Sequence, residues 1–167
     1  MFLALDKLIN QGVKKVIIAV PEMSIGKSFK STALSDFGFF ADWEVADRYN
    51  LCLSLAQSDT RKTAIFSEFV TSSVNDNSLP QVLVCTHHSF RYGFDKVIED
   101  GGSIELFNDV LIGIDEFHHV SADESNRLGA ILDSIMTQTS AHIVAMTGSY
   151  FRGDSVPILS DSDEEKF

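Results

Sequence analysis

The sequence contains 167 residues, of which 44% are hydrophobic and 22% are charged, and its formal net charge is −11. These values are typical of one globular domain that is long enough to bury a core. They argue against a membrane span, which needs roughly 20 apolar residues in a row, and against a strong sequence-independent grip on nucleic acid, which depends on Lys and Arg.

Two features of the chain report on its compartment, and both favour the cytoplasm. No basic segment precedes the first apolar residues, and Asp6 interrupts them, so the amino terminus is unlike a secretory signal. Cys52 and Cys85 lie in apolar runs, where we expect reduced thiols in the core. The sequence therefore predicts a cytoplasmic protein with no membrane partner.

The first predicted elements are a helix, a buried strand and a second helix. Residues 2–12 carry apolar side chains at a partly helical spacing, and Gly12 is a typical helix stop. Val16–Val20 is a continuous apolar run, which is typical of a strand buried on both faces. The next helix is predicted from about Lys27 to about Phe37, with Gly38 closing or kinking it.

The middle of the chain predicts two short strands and a capped helix. The strands are expected over Trp43–Val45 and Asn50–Leu55, and Ser58 or Asp59 is a suitable N-cap for a helix through Thr63–Val70. Residues 72–80 are polar and are expected to form a surface loop. A nearby group of phenylalanines is interpreted as core rather than as a base-stacking platform, by about four to one. This group is Phe29, Phe37, Phe39 and Phe40.

Strands and helices then alternate to the end of the chain. Buried strands are predicted over Gln81–Thr86, Val110–Ile114 and His142–Met146, and helices over His87–Glu99 and Asp123–Thr137. Such alternation predicts an α/β fold, a three-layer sandwich whose mostly parallel sheet has helices on both faces. Ligands bind such sheets beyond the carboxyl ends of the strands. Three polar clusters follow strands here: residues 24–28, 115–119 and 147–149.

The first cluster has part of the phosphate-loop pattern G-x-x-x-x-G-K-[ST]. Gly26, Lys27 and Ser28 fit it, while Pro21 stands where the first glycine belongs. Backbone N–H groups at a helix N-terminus bind anions, so Lys27 would contact the β- and γ-phosphates and Ser28 would ligate Mg²⁺. On this stretch alone, a chance tripeptide that opens an ordinary helix is about as good an interpretation. The predicted nucleotide-binding residues are Pro21, Ser24, Ile25, Gly26, Lys27 and Ser28.

The second cluster makes a nucleotide site the better interpretation. Asp115 and Glu116 follow a uniformly apolar strand downstream of the first cluster. Phosphoryl transfer to water needs a carboxylate that holds Mg²⁺ and a group that orients the attacking water. Asp115 fits the first role and Glu116 the second, whereas the alternative is a pair of exposed acids at a strand end. Together the two clusters predict a P-loop NTPase.

The same residues resemble a known family, the DEAD/DEAH-box helicases of superfamily 2. The segment 115–118 has their D-E-x-H form, and the strand end 146–149 resembles their third motif. Residues 85–90 resemble the strand-to-helix segment with which those helicases contact the nucleic-acid backbone. The order of the motifs is similar to that of a first RecA-like domain, and the restriction-type and phage-type helicases share the sequence DEFHH.

The resemblance implies ATP and Mg²⁺ as cofactors and a role for each matching residue. Lys27, Asp115 and Glu116 would be catalytic, with Ser28 and Asp115 at the metal. His118 would link the nucleotide to the third motif, in which Thr147, Gly148 and Ser149 would couple the ATP state to nucleic-acid contact. Thr86 and Arg91 would face the DNA or RNA.

The resemblance also implies a larger protein. Residues 1–159 would be the first RecA-like domain, and residues 160–167 an acidic tail or the start of a linker to a second RecA-like domain in cis. The family's loops usually have Ala or Gly at the position of Pro21 and often Gly at that of Ser24, so we expect a weakened phosphate site. An arginine finger from a second domain can be worth about 10³ to 10⁵ in rate. We therefore expect weak nucleotide binding and no duplex unwinding by this chain alone.

The predicted function is thus the ATP-binding half of a nucleic-acid-dependent ATPase, helicase or translocase, as in restriction–modification systems. Two alternatives stay open. One is a different P-loop ATPase that oligomerises and receives its arginine from a neighbour. The other is a non-catalytic domain, derived from a helicase, that binds nucleic acid or a partner protein.

Overall fold

The computed structural model describes residues 1–53, 58–72, 81–117 and 127–147. Within these residues the fold is built on a four-stranded sheet with the strand order β2-β1-β3-β4, and every neighbouring pair is parallel. The predicted α/β class with a parallel sheet is therefore confirmed. The strands are β1 (Lys15–Val20), β2 (Val82–Thr86), β3 (Val110–Ile114) and β4 (His142–Ala145).

The central strand β1 explains why the sequence shows an unbroken apolar run. All six of its residues are buried, because β2 and β3 pair with its two edges and other elements cover its two faces. In the register, Val16 lies opposite Val82 and Ala19 opposite Ile114. Side chains alternate between the faces, so Ile17 and Val16 belong to different core clusters.

Three long helices cover one face of the sheet: α3 (Asp59–Thr71), α4 (His87–Glu99) and α5 (Arg127–Gln138). Aromatic side chains fill much of this interface, and the rings of Phe66 and Phe90 meet edge to face with centroids 5.6 Å apart. Ser58 is the N-cap of α3 and accepts a hydrogen bond from the Arg61 amide, as predicted. Residues 123–126, which were predicted to begin α5, lie outside the described part of the chain.

The opposite face is covered by α1 (Phe2–Asn10) and by an irregular segment that contains the tryptophan. Trp43 is fully buried and lies in one cluster with Val16 and Leu5. The chain turns after α1 at Gly12, whose φ of +75° suits glycine. The sheet therefore has helical cover on both faces, as the three-layer prediction requires.

The helix predicted over residues 27–37 is wrong. The structure has instead a four-residue helix, α2 (Met23–Gly26), an irregular stretch, and a 3-10 helix over Leu34–Phe37. Thr32 and Trp43 exchange two backbone hydrogen bonds of 2.8 and 3.0 Å across a short antiparallel bridge. This pairing and the burial of Trp43 outweigh a weak helical pattern, since Ser and Thr readily leave helices for local hydrogen bonds. Gly38 ends the 3-10 helix with φ +85°.

The two short strands predicted in the middle of the chain are also wrong. Trp43 forms only the isolated bridge to Thr32, and Asn50 forms only one parallel bridge, to Val84. A 3-10 helix, Asp47–Tyr49, precedes Asn50, and a turn follows it. The Asn50 side-chain oxygen accepts a 3.1 Å bond from the Cys52 amide, which forms a local turn in place of a continuing strand. Residues 54–57 and 73–80 lie outside the described part of the chain.

Two predictions of burial need correction. Three members of the predicted aromatic core group lie at the surface: Phe37 is 76% and Phe40 61% exposed, and Phe39 stacks on Phe2. The reason is that the helix which would have turned these rings inward does not form. The fourth, Phe29, is partly buried and packs against the core, as predicted. The last strand, β4, is half-buried rather than fully buried, since it lies at the edge of the described sheet.

The cysteines are buried and unlinked, as expected of core thiols. Cys52 lies in the turn after Asn50, and burial raises its pKa to about 11. Cys85 lies in β2, where burial also raises the pKa of its thiol. Among the described residues, no helix combines the length and apolar character needed to cross a bilayer.

Candidate functional site

The sheet brings the first two polar clusters to the same edge. β1 and β3 are neighbours, and the Asp115 amide donates a 2.9 Å hydrogen bond to the Ala19 carbonyl. β1 ends at Val20, and the segment that carries Gly26 to Ser28 follows it. Asp115 and Glu116 directly follow the end of β3. The carboxyl ends of parallel strands at this edge are where such sheets bind ligands.

Residues 26–29 form a closed turn, here called the GKS turn. Its amides donate to the carbonyls of Glu22, Met23, Ile25 and Gly26 in turn, over 2.9 to 3.2 Å. The Ser28 hydroxyl donates a 2.6 Å bond to the Ile25 carbonyl. Lys27 is the C-cap of α2 instead of the start of a helix, so the predicted helix N-terminus at this point is absent from the described structure.

The side chains around the GKS turn differ in exposure and bonding. Pro21 and Ile25 are partly buried, and Ser24 is exposed and donates to Glu22 over 3.1 Å. Lys27 is partly exposed, and its ammonium has no hydrogen-bond or ion-pair partner among the described residues. The strongest constraint falls on Gly26, where an added Cβ would lie 2.3 Å from Cys52 Sγ.

Asp115 and Glu116 lie at a sharp turn directly after β3. Glu116 has φ +51°, a left-handed conformation that costs a non-glycine residue about 1–3 kcal/mol. Its amide donates a 3.0 Å bond to Asp115 Oδ1, which fixes one oxygen of that carboxylate. Strain of this kind persists where surrounding contacts impose it, and here the Phe117 amide bonds the Met146 carbonyl at 2.8 Å. Backbone strain of this kind is concentrated at functional sites.

His87 also contacts this site, although it was not among the predicted site residues. Its Nε2 lies 2.9 Å from the Asp115 carbonyl oxygen and must donate, because a carbonyl oxygen only accepts. His87 is the first residue of α4 and directly follows β2. Like the other candidate residues, it comes after the carboxyl end of a predicted buried strand, and this position is the signal that could have identified it. The contact ties the start of α4 to the turn that carries both carboxylates.

The residues predicted to contact nucleic acid lie on the same side as His87. Thr86 is the N-cap of α4, and its hydroxyl accepts a 3.1 Å bond from the Ser89 amide. Arg91 lies one turn further on, with its guanidinium carbon 4.9 Å from the centre of the Tyr92 ring. Thr86 is therefore bonded within the helix cap, whereas Arg91 lies over a half-exposed ring.

The residues predicted to couple the two activities are only partly described. Thr147 is exposed and follows Met146, whose amide donates a 2.8 Å bond to the Ile114 carbonyl. This bond carries the pairing of β4 with β3 up to the turn that holds Asp115. Gly148, Ser149 and His118 lie outside the described residues.

Comparison with known proteins found a curated relative from Bacillus subtilis (strain 168). It is named “Putative ATP-dependent helicase YeeB”, and the two sequences are 53% identical over all 167 residues of this chain. The chain is a relative of that helicase-named protein. It spans 26% of the length of the Bacillus protein. No family model matches the chain, and no solved structure does so either.

The chemistry of the donor set at this edge fits Mg²⁺ and a nucleotide. An ammonium, a hydroxyl and a carboxylate, from Lys27, Ser28 and Asp115, are the groups that hold phosphate and Mg²⁺ in such sites. The amides of the GKS turn do not fit a phosphate in their present arrangement, because each already has a carbonyl acceptor. Binding in the manner of a phosphate loop therefore requires this turn to open.

Proposed function

We propose that this chain is the ATP-binding domain of a nucleic-acid-dependent ATPase of superfamily 2, a helicase or translocase. The observation that carries the proposal is that two polar segments follow the carboxyl ends of neighbouring parallel strands. Lys27 and Ser28 follow β1, while Asp115 and Glu116 follow the adjacent strand β3. The name of the Bacillus relative, which describes an ATP-dependent helicase, supports ATP use and the helicase part of this proposal.

The roles follow from the chemistry of each side chain. Lys27 offers an ammonium to phosphate, and Ser28 and Asp115 offer oxygen ligands to Mg²⁺. Glu116, held beside Asp115 by the turn, would orient or deprotonate the attacking water. Bound ATP would supply the phosphoryl group. Hydrolysis in the full protein would further use a second RecA-like domain and its arginine, and DNA or RNA would be bound jointly by both domains.

A binding measurement tests this function. We expect a fluorescent, non-hydrolysable ATP analogue to bind in the presence of Mg²⁺, and both Lys27→Ala and Asp115→Ala to weaken binding at least tenfold. Lys30→Ala is the matched control, since Lys30 is an exposed lysine just beyond the GKS turn. Glu116→Gln should keep binding and abolish any turnover. If Lys27→Ala and Asp115→Ala both bind like the parent chain, the nucleotide site is wrong.

One observation favours a second candidate, a non-catalytic domain that binds nucleic acid or a partner protein. The amides of the GKS turn are satisfied internally, and Pro21 replaces the loop glycine. This candidate predicts no Mg²⁺-dependent nucleotide binding at any concentration. The same titration therefore separates the two. ATPase activity that rises more steeply than protein concentration would instead indicate an oligomeric P-loop ATPase.

A further inference from the structure

Asn50 is a buried amide that touches the GKS turn from a distant part of the chain. Its side chain is 3% exposed. Its Nδ2 donates two hydrogen bonds, of 3.0 Å to the Gly26 carbonyl and 3.1 Å to the Phe29 carbonyl. Its Oδ1 accepts a 3.1 Å bond from the Cys52 amide. Two carbonyls and one amide match the amide group in only one orientation, so all of its partners are satisfied at once.

The backbone around Asn50 is anchored to the sheet. Asn50 forms a parallel bridge with Val84 of β2, and the Leu51 amide donates a 2.8 Å bond to the Val84 carbonyl. The two carbonyls that Asn50 holds belong to the first and last residues of the GKS turn. The side chain thus connects both ends of that turn to β2, an outer strand of the described sheet.

A steric contact reinforces the same tie. Gly26 packs against Cys52 so closely that a Cβ would lie 2.6 Å from Cys52 Cβ and 2.3 Å from its Sγ. Cys52 is itself fully buried. The turn is therefore held by hydrogen bonds at both ends and by packing at its first residue.

We infer that Asn50 is a positioning residue that holds the GKS turn closed and so lowers the affinity of the site for nucleotide. In the closed turn the amides of residues 26–29 bond neighbouring carbonyls, and an anion can use them only after those bonds break. Asn50 stabilises the closed state through the Gly26 and Phe29 carbonyls. A ligand that needs a minor state binds more weakly in proportion to the population of that state.

The affinity part of this inference rests on the proposed nucleotide function, whereas the conformational part does not. Asn50→Ala removes both donors, and Ser31→Ala is the matched control. The Ser31 hydroxyl also makes two hydrogen bonds to a distant backbone, donating to the Val45 carbonyl and accepting from its amide, but it does not touch the turn. Asn50→Ser, which keeps a small polar group, replaces Asn50→Ala if that variant does not fold.

Two measurements test it. Without nucleotide, amide hydrogen exchange at residues 26–29 should be about tenfold faster in Asn50→Ala, and unchanged in Ser31→Ala. With Mg²⁺ and a fluorescent ATP analogue, Asn50→Ala should bind about three- to tenfold more tightly than the parent chain. Unchanged exchange at these amides, or weaker analogue binding, in a folded Asn50 variant would overturn the inference. If exchange is faster in Asn50→Ala but neither the parent chain nor any variant binds the analogue, Asn50 still holds the GKS turn closed. The proposed nucleotide binding is then wrong.

Discussion

At the scale of single residues, Lys15 shows how one side chain can complete a distant helix. It lies at the start of β1 and is 6% exposed. Its ammonium donates to the carbonyls of Phe69, Val70 and Ser72, over 2.7, 2.9 and 2.8 Å. These carbonyls lie at the C-terminal end of α3, where a helix lacks intrahelical amide donors and carries partial negative charge. The Phe69 carbonyl also accepts a 2.8 Å bond from the Ser72 hydroxyl. All three ammonium hydrogens are therefore used.

Replacing this lysine should destabilise the fold. Lys15→Met keeps much of the side-chain volume but removes the ammonium from all three carbonyls, although the Phe69 carbonyl keeps a second donor, the Ser72 hydroxyl. We expect this loss to cost about 1–3 kcal/mol. Urea denaturation measures the loss. Lys14→Met is the control, because Lys14 forms an exposed ion pair with Asp109, and such pairs contribute little. An equal loss in both variants would contradict the assigned role.

The same residue predicts a dependence of stability on pH. Burial lowers the pKa of Lys15 from 10.5 to about 8. Between these values the folded chain has released a proton that the unfolded chain still holds, so the free energy of unfolding rises with pH. Relative to Lys15→Met, the rise from pH 8 to 10.5 should reach at most about 3 kcal/mol, and the three carbonyl acceptors favour the charged form and reduce it. Urea denaturation of both proteins across this range checks the sign, and a difference that falls with pH would contradict it.

At the scale of elements, the predictions succeeded where a pattern and its cause lie close together in sequence. β1 and β3 are buried on both faces and appear in the sequence as apolar runs. Ser58 and Thr86 cap α3 and α4 by accepting a hydrogen bond from the amide three residues further on. The prediction for the irregular segment between α2 and α3 was wrong because the conformation of this segment depends on residues distant in sequence. Thr32 pairs with Trp43, and Asn50 pairs with Val84, and neither contact leaves a local pattern.

The packing of α4 on α3 depends on a glycine. At Gly93 an added Cβ would lie 2.4 Å from the ring of Phe66. Helix propensity alone would make Gly93→Ala stabilising by about 1 kcal/mol, but overpacking a core costs typically about 1–3 kcal/mol. We therefore expect a net loss of stability on thermal unfolding. In the Phe66→Leu background the penalty should shrink, and an unchanged penalty there would assign it to another contact.

The hydroxyl of Thr86 caps α4 and should contribute to the stability of the fold. Thr86→Ala should lower stability by about 1 kcal/mol, because the Ser89 amide loses its acceptor. Thr86→Ser keeps that bond and should match the parent chain in chemical denaturation. Ser58→Ala, the equivalent change at α3, should cost a similar amount. If Thr86→Ser is as unstable as Thr86→Ala, the hydroxyl is not the stabilising group.

At the scale of the whole molecule, the sequence predicted the strands that carry the candidate site but not the arrangement of the segments that follow them. The segments with Lys27 and Asp115 follow apolar runs, and the structure shows that these runs are β1 and β3, which pair in parallel. The roles of Lys27 and Asp115 remain predictions. The closed GKS turn, the contact of His87 with Asp115 and the tie from Asn50 could not be predicted. Each depends on hydrogen bonds between residues far apart in the chain, which side-chain periodicity does not encode.

Net charge leads to a prediction about nucleic acid. With 13 basic against 24 acidic residues, the chain should bind a single-stranded oligonucleotide weakly, and with a shallow dependence on salt. If Arg91 contacts a phosphate, Arg91→Gln should reduce the slope of log K against log salt by about one. Fluorescence anisotropy at about 50 to 200 mM salt measures this slope. Lys14→Gln, at the opposite edge of the sheet, should leave it unchanged, and equal effects of both variants would rule out a local contact.

The central position of β1 has a consequence during synthesis. This strand leaves the ribosome before its partners, which begin only at Val82 and Val110. At roughly 5 to 20 residues per second, the gap lasts several seconds. Throughout that interval six residues destined for complete burial have no strand beside them. During this time the apolar strand can associate with non-native partners and aggregate. Slower translation before residue 82 should lengthen this interval and lower the yield of soluble protein.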